Sequence, residues 1–428
     1  MGRLSRAFDR TFRSLRTPNY HLYFFGQIVS LTGTWMQSVA QAWLVLRLTG
    51  SGLALGTTAA LQFAPILVAG PWGGVIADRV DKRRLIIWTQ SAAGTLALVL
   101  GLLTLENVVR LWMVYVLALL LGLVNLVDMP VRQSFVFEMV GPSDLANAVS
   151  LNSVVVNGAR VVGPAVAGLL IASVGLTPCF LINAASYLAV IAGLLAMDTT
   201  LLNRATRVAR GPGQLRAGLR YAWSRTELRT PLLMMAVVGT LAYNFSVVLP
   251  LLAETTFGGG ARAYGGMFSV MGAGAVLGGL VFAARARPTR LLLASAAVAF
   301  GLAIGLAAAA PNLALATLAM LPIGAASTAF IATSNSLLQL NASSEMRGRV
   351  MALFSLVFLG STPIGGPLVG WIAERFGPRD ALGLAAAATL LTGIFGLAGR
   401  GRRGRRRRRQ EGPMPGPGPE LLGESGSG

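Results

Sequence analysis

Histidine, lysine and cysteine each occur once in the 428 residues, as His21, Lys82 and Cys179, and only 12% of the chain is charged. A lone cysteine forms no internal disulfide and leaves no Cys–x–x–Cys or Cys/His cluster to hold a metal. His21 sits at the edge of the first apolar run, where an interfacial role suits it better than catalysis. Nucleophile–base chemistry has almost no candidate residues, so the sequence predicts no enzyme, no cofactor and no metal. Polar surface is short as well. With 54% hydrophobic residues and a mean hydropathy of +0.65, a soluble domain would lack the polar groups to cover itself.

What fills the chain instead is apolar runs of about 20 residues, the length needed to cross a hydrocarbon core roughly 30 Å thick. Their glycine-rich helical character excludes a β-barrel. Twelve spans are predicted at 21–48, 53–77, 85–105, 110–138, 145–174, 177–197, 230–256, 263–284, 290–310, 312–340, 348–374 and 381–399. The expected fold class is an all-α membrane protein, its twelve transmembrane helices forming two six-helix bundles. Most of the 36 basic residues fall in alternate loops and at the two ends, which places both termini in the cytoplasm. The net charge of +20 is then mainly topology, and no nucleic-acid partner is expected.

The predicted organisation is a basic cytoplasmic N-terminus (1–20), a first bundle (21–197), a basic cytoplasmic linker (198–229), a second bundle (230–399) and a disordered arginine-rich cytoplasmic tail (400–428). In the linker, Leu215, Leu219, Ala222 and Trp223 recur at helical spacing, as in an amphipathic surface helix. The halves echo each other: PWGGVIADR at 71–79 matches VLGGLVFAAR at 276–285, and VVGPAVAGLL at 161–170 matches IGGPLVGWI at 364–372. Within each half the two landmarks are about 90 residues apart, and the halves repeat at a period near 200, as a duplication predicts. Two like bundles can rock about a central cavity, the architecture of a transporter.

Charge is concentrated in one short loop. Between the second and third apolar runs stands GGVIADRVDKRR, and six of the seven residues from Asp78 to Arg84 are charged. This loop, with Gly74, Asp78, Arg79, Lys82, Arg83 and Arg84, resembles the signature of the major facilitator superfamily, which has a second glycine where this chain has Asp81. The stretches SLTGTWMQSVAQAWLVLRLTGS, NLVDMPVRQSFVFEMV and LNSVVVNGARVVGP look like its bacterial branch of enterobactin-type siderophore exporters, the transmembrane secretion effectors. The resemblance implies proton-driven export of a small molecule across the bacterial cytoplasmic membrane by a monomer, with substrate, protons and lipid as its partners. The arginine that many proton antiporters of the superfamily carry in the fourth span corresponds here to Ala118.

In that frame Asp78 is expected to dock at the start of the eleventh span, near Arg347 and Arg349, and latch the halves shut on the cytoplasmic side. Arg79, Lys82 and Arg83 are expected to pair with Glu138. Small-xxx-small spacings, among them Gly163-Pro164-x-x-x-Gly168 and Gly366-Pro367-x-x-Gly370, predict close helix contacts where the halves meet, and Pro164 is expected to bend its span. The glycine–proline pairs resemble the antiporter signature of exporters.

Two charges fall well inside the apolar runs, Asp128 and Arg160, with Arg132 one turn from Asp128. An unpaired charge at that depth is costly, so Asp128 is expected to pair with Arg160 and to exchange that partner for a proton. Pro130 is expected to break the helix and open Asp128 to a cavity; Glu254 is the reserve proton carrier. Candidates for the substrate path are Trp35, Gln37, Gln41, Gln62, Asn125, Asn157, Tyr243, Asn244, Phe245 and Asn335, an amide and aromatic lining suited to amphipathic compounds. Competing readings are an importer or lysophospholipid flippase on the same fold, or a non-transporting scaffold that recruits partners through its tail.

Overall fold

The computed structural model describes residues 11–203, 214–285 and 287–410, with backbone alone at 71–79, 214–216, 285 and 398–410. The helices are α1 (Pro18–Thr49), α2 (Gly52–Arg79), α3 (Lys82–Leu105), α4 (Leu111–Val174), α5 (Thr177–Leu195), α6 (Gln214–Ser224), α7 (Thr226–Ala242), α8 (Phe245–Leu251), α9 (Gly260–Arg285), α10 (Arg290–Ala308), α11 (Leu313–Asn341), α12 (Ser344–Leu359), α13 (Thr362–Arg375) and α14 (Pro378–Gln410). Among the described residues, ten helical stretches are long and apolar enough to cross a membrane. The 32-residue α1 is not one of them, although it is long enough, because Asn19, Gln27, Gln37 and Gln41 dilute its hydropathy; these four side chains are buried.

Local chemistry sets the ends. Gly50, at φ 64°, closes α1 in the left-handed conformation that glycine adopts without strain. Ser51, Asp81, Thr289 and Asn312 cap α2, α3, α10 and α11, each accepting a backbone N–H at 2.9–3.1 Å. α4 is the exception in length. Its 64 residues are two helical arms run together, each long enough for a crossing of its own. Gly141 (φ 70°, ψ −177°) interrupts it, and Pro142 then starts the second arm with the fixed φ of a first helical position. Asn203 N–H donates to the carbonyl of Glu138 at 2.7 Å, filling an acceptor that the break leaves open. Pro164 lies inside the second arm with no non-helical residue near it, so the expected irregularity falls at Gly141 instead.

Two predicted spans are broken. The run 230–256 divides at Tyr243–Asn244 and ends in a π-helical turn, Leu252–Thr256. The run 348–374 divides at Gly360–Ser361, because Pro363 has no N–H to return to Leu359. The tail expected to be unstructured from Arg400 continues α14 as helix to Gln410; arginine is a strong helix former. α6 buries Ala222 while Leu219 and Trp223 stand half exposed, one turn apart. Its Tyr221 hydroxyl accepts the N–H of Ser343 at 3.0 Å, which ties α6 to the start of α12.

The helices before the linker pack among themselves (α1 with α4 and α5, α3 with α5), and those after it do likewise (α10 with α14 and α11, α9 with α11). The two most extensive contacts between these groups are α2 with α13 and the second arm of α4 with α9, and smaller ones join α1 and α2 to α8, α2 to α12 and α1 to α9. Large apolar side chains such as Val68, Trp88, Leu188, Leu318 and Phe395 are mostly exposed, far beyond what a water-soluble surface carries.

Candidate functional site

Backbones meet where the two groups touch. A Cβ on Gly52 or Gly56 of α2 would collide with the carbonyls of Gly370 and Gly366 on α13, and Pro367 follows in the same turn. Across the molecule a Cβ on Gly265 would stand 2.5 Å from the Pro164 carbonyl and 2.8 Å from the Cα of Gly168. Gly163 faces the other way, onto Trp35 and Thr32 of α1. Ser269 Oγ donates to the Val161 carbonyl at 2.8 Å. Ser51 Oγ and Leu53 N–H both donate to Glu374, at 2.5 and 3.0 Å. All of these lie toward the end where α2 begins and α13 stops.

Toward the opposite end the seam parts. The contacts run down to the Leu67 side chain against Gly360 on one side and to Gly272 against the Arg160 carbonyl on the other. Val154 lies two turns from Val161 on the same helix face, and it is 68% exposed. Leu280 stands in the same relation to Ser269, three turns on, and is 63% exposed. The seam is closed at one end, and among the described residues its α4–α9 side is exposed at the other.

Asp128 is 5% exposed and held from three sides: Thr89 Oγ1 donates at 2.5 Å, Gln90 Nε2 at 3.0 Å, and Arg132 forms the ion pair. Arg132 in turn donates to Gln27 Oε1 at 2.5 Å. The expected Asp128–Arg160 pair is therefore not formed. An acid and a base four residues apart share a helix face, and the helix stays intact through Pro130, which leaves only the Leu126 carbonyl without its usual donor. For the same reason Asp128 is closed off rather than open to a cavity.

Arg160 instead places its guanidinium 4.9 Å from the centre of the Trp35 ring, with Nε buried and without a hydrogen-bond partner. Trp35 lies 6.2 Å from Phe268, while Tyr243 packs against Phe300 and Phe358 at 5.3 and 5.5 Å and donates its hydroxyl to the Ser327 carbonyl at 2.9 Å. The cluster draws on both helix groups and sits where the seam parts. Glu254, the reserve carrier, is exposed in the π-turn near the sealed end.

In the charged loop, Lys82 Nζ reaches Glu138 Oε1 at 2.5 Å, both side chains largely buried. Arg83 bonds the carbonyls of Leu194 and Leu195 at 2.6 and 3.1 Å rather than Glu138, so it closes the end of α5. Asp81 caps α3. The side chains of Asp78 and Arg79, and with them the expected latch, are not described, and Gly74 is placed by its backbone alone within α2. Arg347 and Arg349 turn to Gln339 and Met346 on their own side.

The path candidates divide. Gln37 accepts from Asn183 at 2.6 Å and is buried glue between α1 and α5; Gln41 is buried as well. Asn157 donates to the Ser153 carbonyl of its own helix at 2.8 Å, and Asn244, at the break after α7, to the Thr240 carbonyl of α7 at 2.7 Å, although the buried Oδ1 of Asn244 has no donor. Asn335 accepts from Gln339 at 2.5 Å. Gln62 and Asn125 are half-buried, and Phe245 is buried against Phe300. Of these candidates, Trp35 is the one that meets Arg160. Sequence reasoning passed over Glu374, Thr89, Gln90 and Gln27. The adjacent polar pair Thr89-Gln90, inside an apolar run, was the one signal available.

The sequence matches the transmembrane secretion effector family over residues 10–418. It is 25% identical over 375 residues to the staphyloferrin A transporter of Staphylococcus aureus, covering 86% of this chain and 93% of that protein. It is 27% identical over 393 residues to the multidrug efflux pump Tap of Mycolicibacterium fortuitum, covering 87% and 93%. Identity to the enterobactin exporter EntS of Shigella boydii is 25% over 385 residues, covering 88% and 90%. The fold resembles the nucleoside transporter NupG (TM-score 0.73, 13% identity, 90% of this chain and 99% of that one). It also resembles a peptide transporter, POT (TM-score 0.73, 15% identity, 90% and 95%). These are membrane transporters, not enzymes. A family match over nearly the whole length, on helices that meet through glycine at a one-sided seam, places this chain in the transmembrane secretion effector branch of the major facilitator superfamily.

Proposed function

We propose that the protein is a proton-coupled exporter of siderophore-like or drug-like molecules, working by alternating access across the bacterial cytoplasmic membrane with both termini inside. The two arms of α4 are separate crossings, as are the broken runs α7–α8 and α12–α13 taken whole, which with α1 makes twelve spans in two bundles. The observation that carries the reading is the one-sided seam: backbone contact at the Ser51–Glu374 end, exposed Val154 and Leu280 at the other. With positive residues inside, the open end faces the cytoplasm, the state that would load an exported substrate. The siderophore and drug transporters among the relatives support the cargo class.

Asp128 is the proton carrier in this reading. Its protonation cancels the charge that holds Arg132, and each elementary charge moved through 100 mV is worth about 2.3 kcal/mol. The test uses inside-out vesicles with an acid interior and a pH-sensitive dye, challenged with catecholate siderophores, cationic dyes and lysolipids. The native chain should release protons on addition of a substrate, and Asp128→Asn should not. Equal responses make Asp128 structural; silence across the panel removes proton antiport and favours an importer.

A further inference from the structure

We infer that Arg160 is the anchor for an anionic group on the transported molecule, and that Trp35 and Phe268 hold that molecule's aromatic body. The inference rests on the transport reading above and names its substrate class: organic acids that carry an aromatic ring.

The charge count leads there. A guanidinium inside a membrane helix is expected to find an anion or a water-filled space. The nearest buried acid, Asp128, is already satisfied by Arg132, Thr89 and Gln90. Glu254 is exposed in the π-turn near the sealed end, and Glu374 is engaged by Ser51 and Leu53 at that same end. Among the described residues Arg160 has no carboxylate partner, and its buried Nε has no acceptor. The face of Trp35 at 4.9 Å stabilises the cation but offers no hydrogen-bond acceptor. What is missing is a planar acceptor for the guanidinium fork, the geometry of a carboxylate.

Position supplies the rest. Arg160 lies where the contact between α4 and α9 ends, its own carbonyl against Gly272, so its surroundings change when the seam opens or closes. Trp35 and Phe268 come from opposite helix groups and already touch, their ring centres 6.2 Å apart. A ring laid against that pair would present its acid to Arg160 and touch both groups at once.

Binding can be measured without any gradient, on the full chain in lipid nanodiscs, by equilibrium dialysis of 2,3-dihydroxybenzoate against its neutral counterpart 2,3-dihydroxybenzamide. The native protein should hold the acid at least tenfold more tightly than the amide. Arg160→Gln should bring the two within twofold of each other, and Arg160→Lys should keep part of the preference. Thermal unfolding separates this from a structural role: removing a cation without a partner should leave the unfolding temperature unchanged or raise it. Equal native affinity for acid and amide overturns the inference, as does an undiminished preference in Arg160→Gln. An acid that binds but never moves in vesicles keeps the inference and removes the export reading. Vesicles that export cationic dyes, from a protein that does not prefer the acid, do the reverse.

Discussion

Asp128 and Arg132 show how a single helical turn overrides a longer-range expectation. Both residues were legible as intramembrane charges, but the choice of partner was not: depth counted along helices favoured Arg160, whereas the intact turn through Pro130 made the local pair shorter. Removing one member leaves the other buried and alone, so Asp128→Asn should lower stability by about 3 kcal/mol. The double change Asp128→Asn with Arg132→Gln should cost less than that single change, and chemical denaturation in detergent measures both. Lys82 and Glu138 make a second test, since both side chains are about nine-tenths buried at 2.5 Å. Glu138→Gln should destabilise, and adding Lys82→Met should recover much of the loss. At the edge of the linker, Asp198 accepts the Thr200 hydroxyl at 2.6 Å and the Thr200 N–H at 2.9 Å, and these bonds hold its carboxyl below the usual range. A carboxyl depressed on folding stabilises at pH above its unfolded value and stops doing so as pH falls through its folded value. Protection of the Thr200 amide from hydrogen exchange should therefore decline on acidification below the ordinary carboxylate range.

At the scale of the element, the glycines of α2 and α13 and of α4 and α9 decide how closely backbones approach. The spacings of Gly163–Gly168 and Gly366–Gly370 were readable as small-xxx-small; that Gly366 and Gly370 meet Gly56 and Gly52, and that Gly168 meets Gly265 while Gly274 and Gly278 turn to Leu321 and Ala325 of α11, required the fold. Gly56→Leu should hold the sealed end apart while leaving each helix group folded. With buried Cys179 changed to alanine, a cysteine placed at Ser51 should then react several-fold faster with a membrane-impermeant thiol reagent from outside the cell. The helix breaks were less legible. Gly141 with Pro142 is a readable stop, yet Tyr243–Asn244 carries no breaker and divides its run where Gly365 presses on the Thr240 carbonyl.

For the whole molecule, the balance between sealed and open ends depends on few contacts at each rim. Glu374 takes two hydrogen bonds from Ser51 and Leu53 in a partly solvated setting, worth about 1 kcal/mol together after screening. Glu374→Gln should shift the population several-fold toward the state open outside, read by distance measurements between spin labels on the two rims. The expected cytoplasmic latch through Asp78 belongs to that opposite state. Labels beside Asp78 and Arg347 should approach each other as the Glu374 end opens.

Composition and periodicity by themselves determined that the chain is helical and embedded in lipid, because apolar length, glycine content and arginine placement are properties of segments. The charged loop and the repeated landmarks determined its kinship for the same reason. Partnership was decided only in three dimensions. Whether Asp128 meets Arg160 or Arg132, whether Glu374 closes a rim and whether Arg160 is left without an acid all depend on how helices are rotated and stacked. Those rotations are set by packing summed over many side chains at once, and no single stretch of sequence contains that sum.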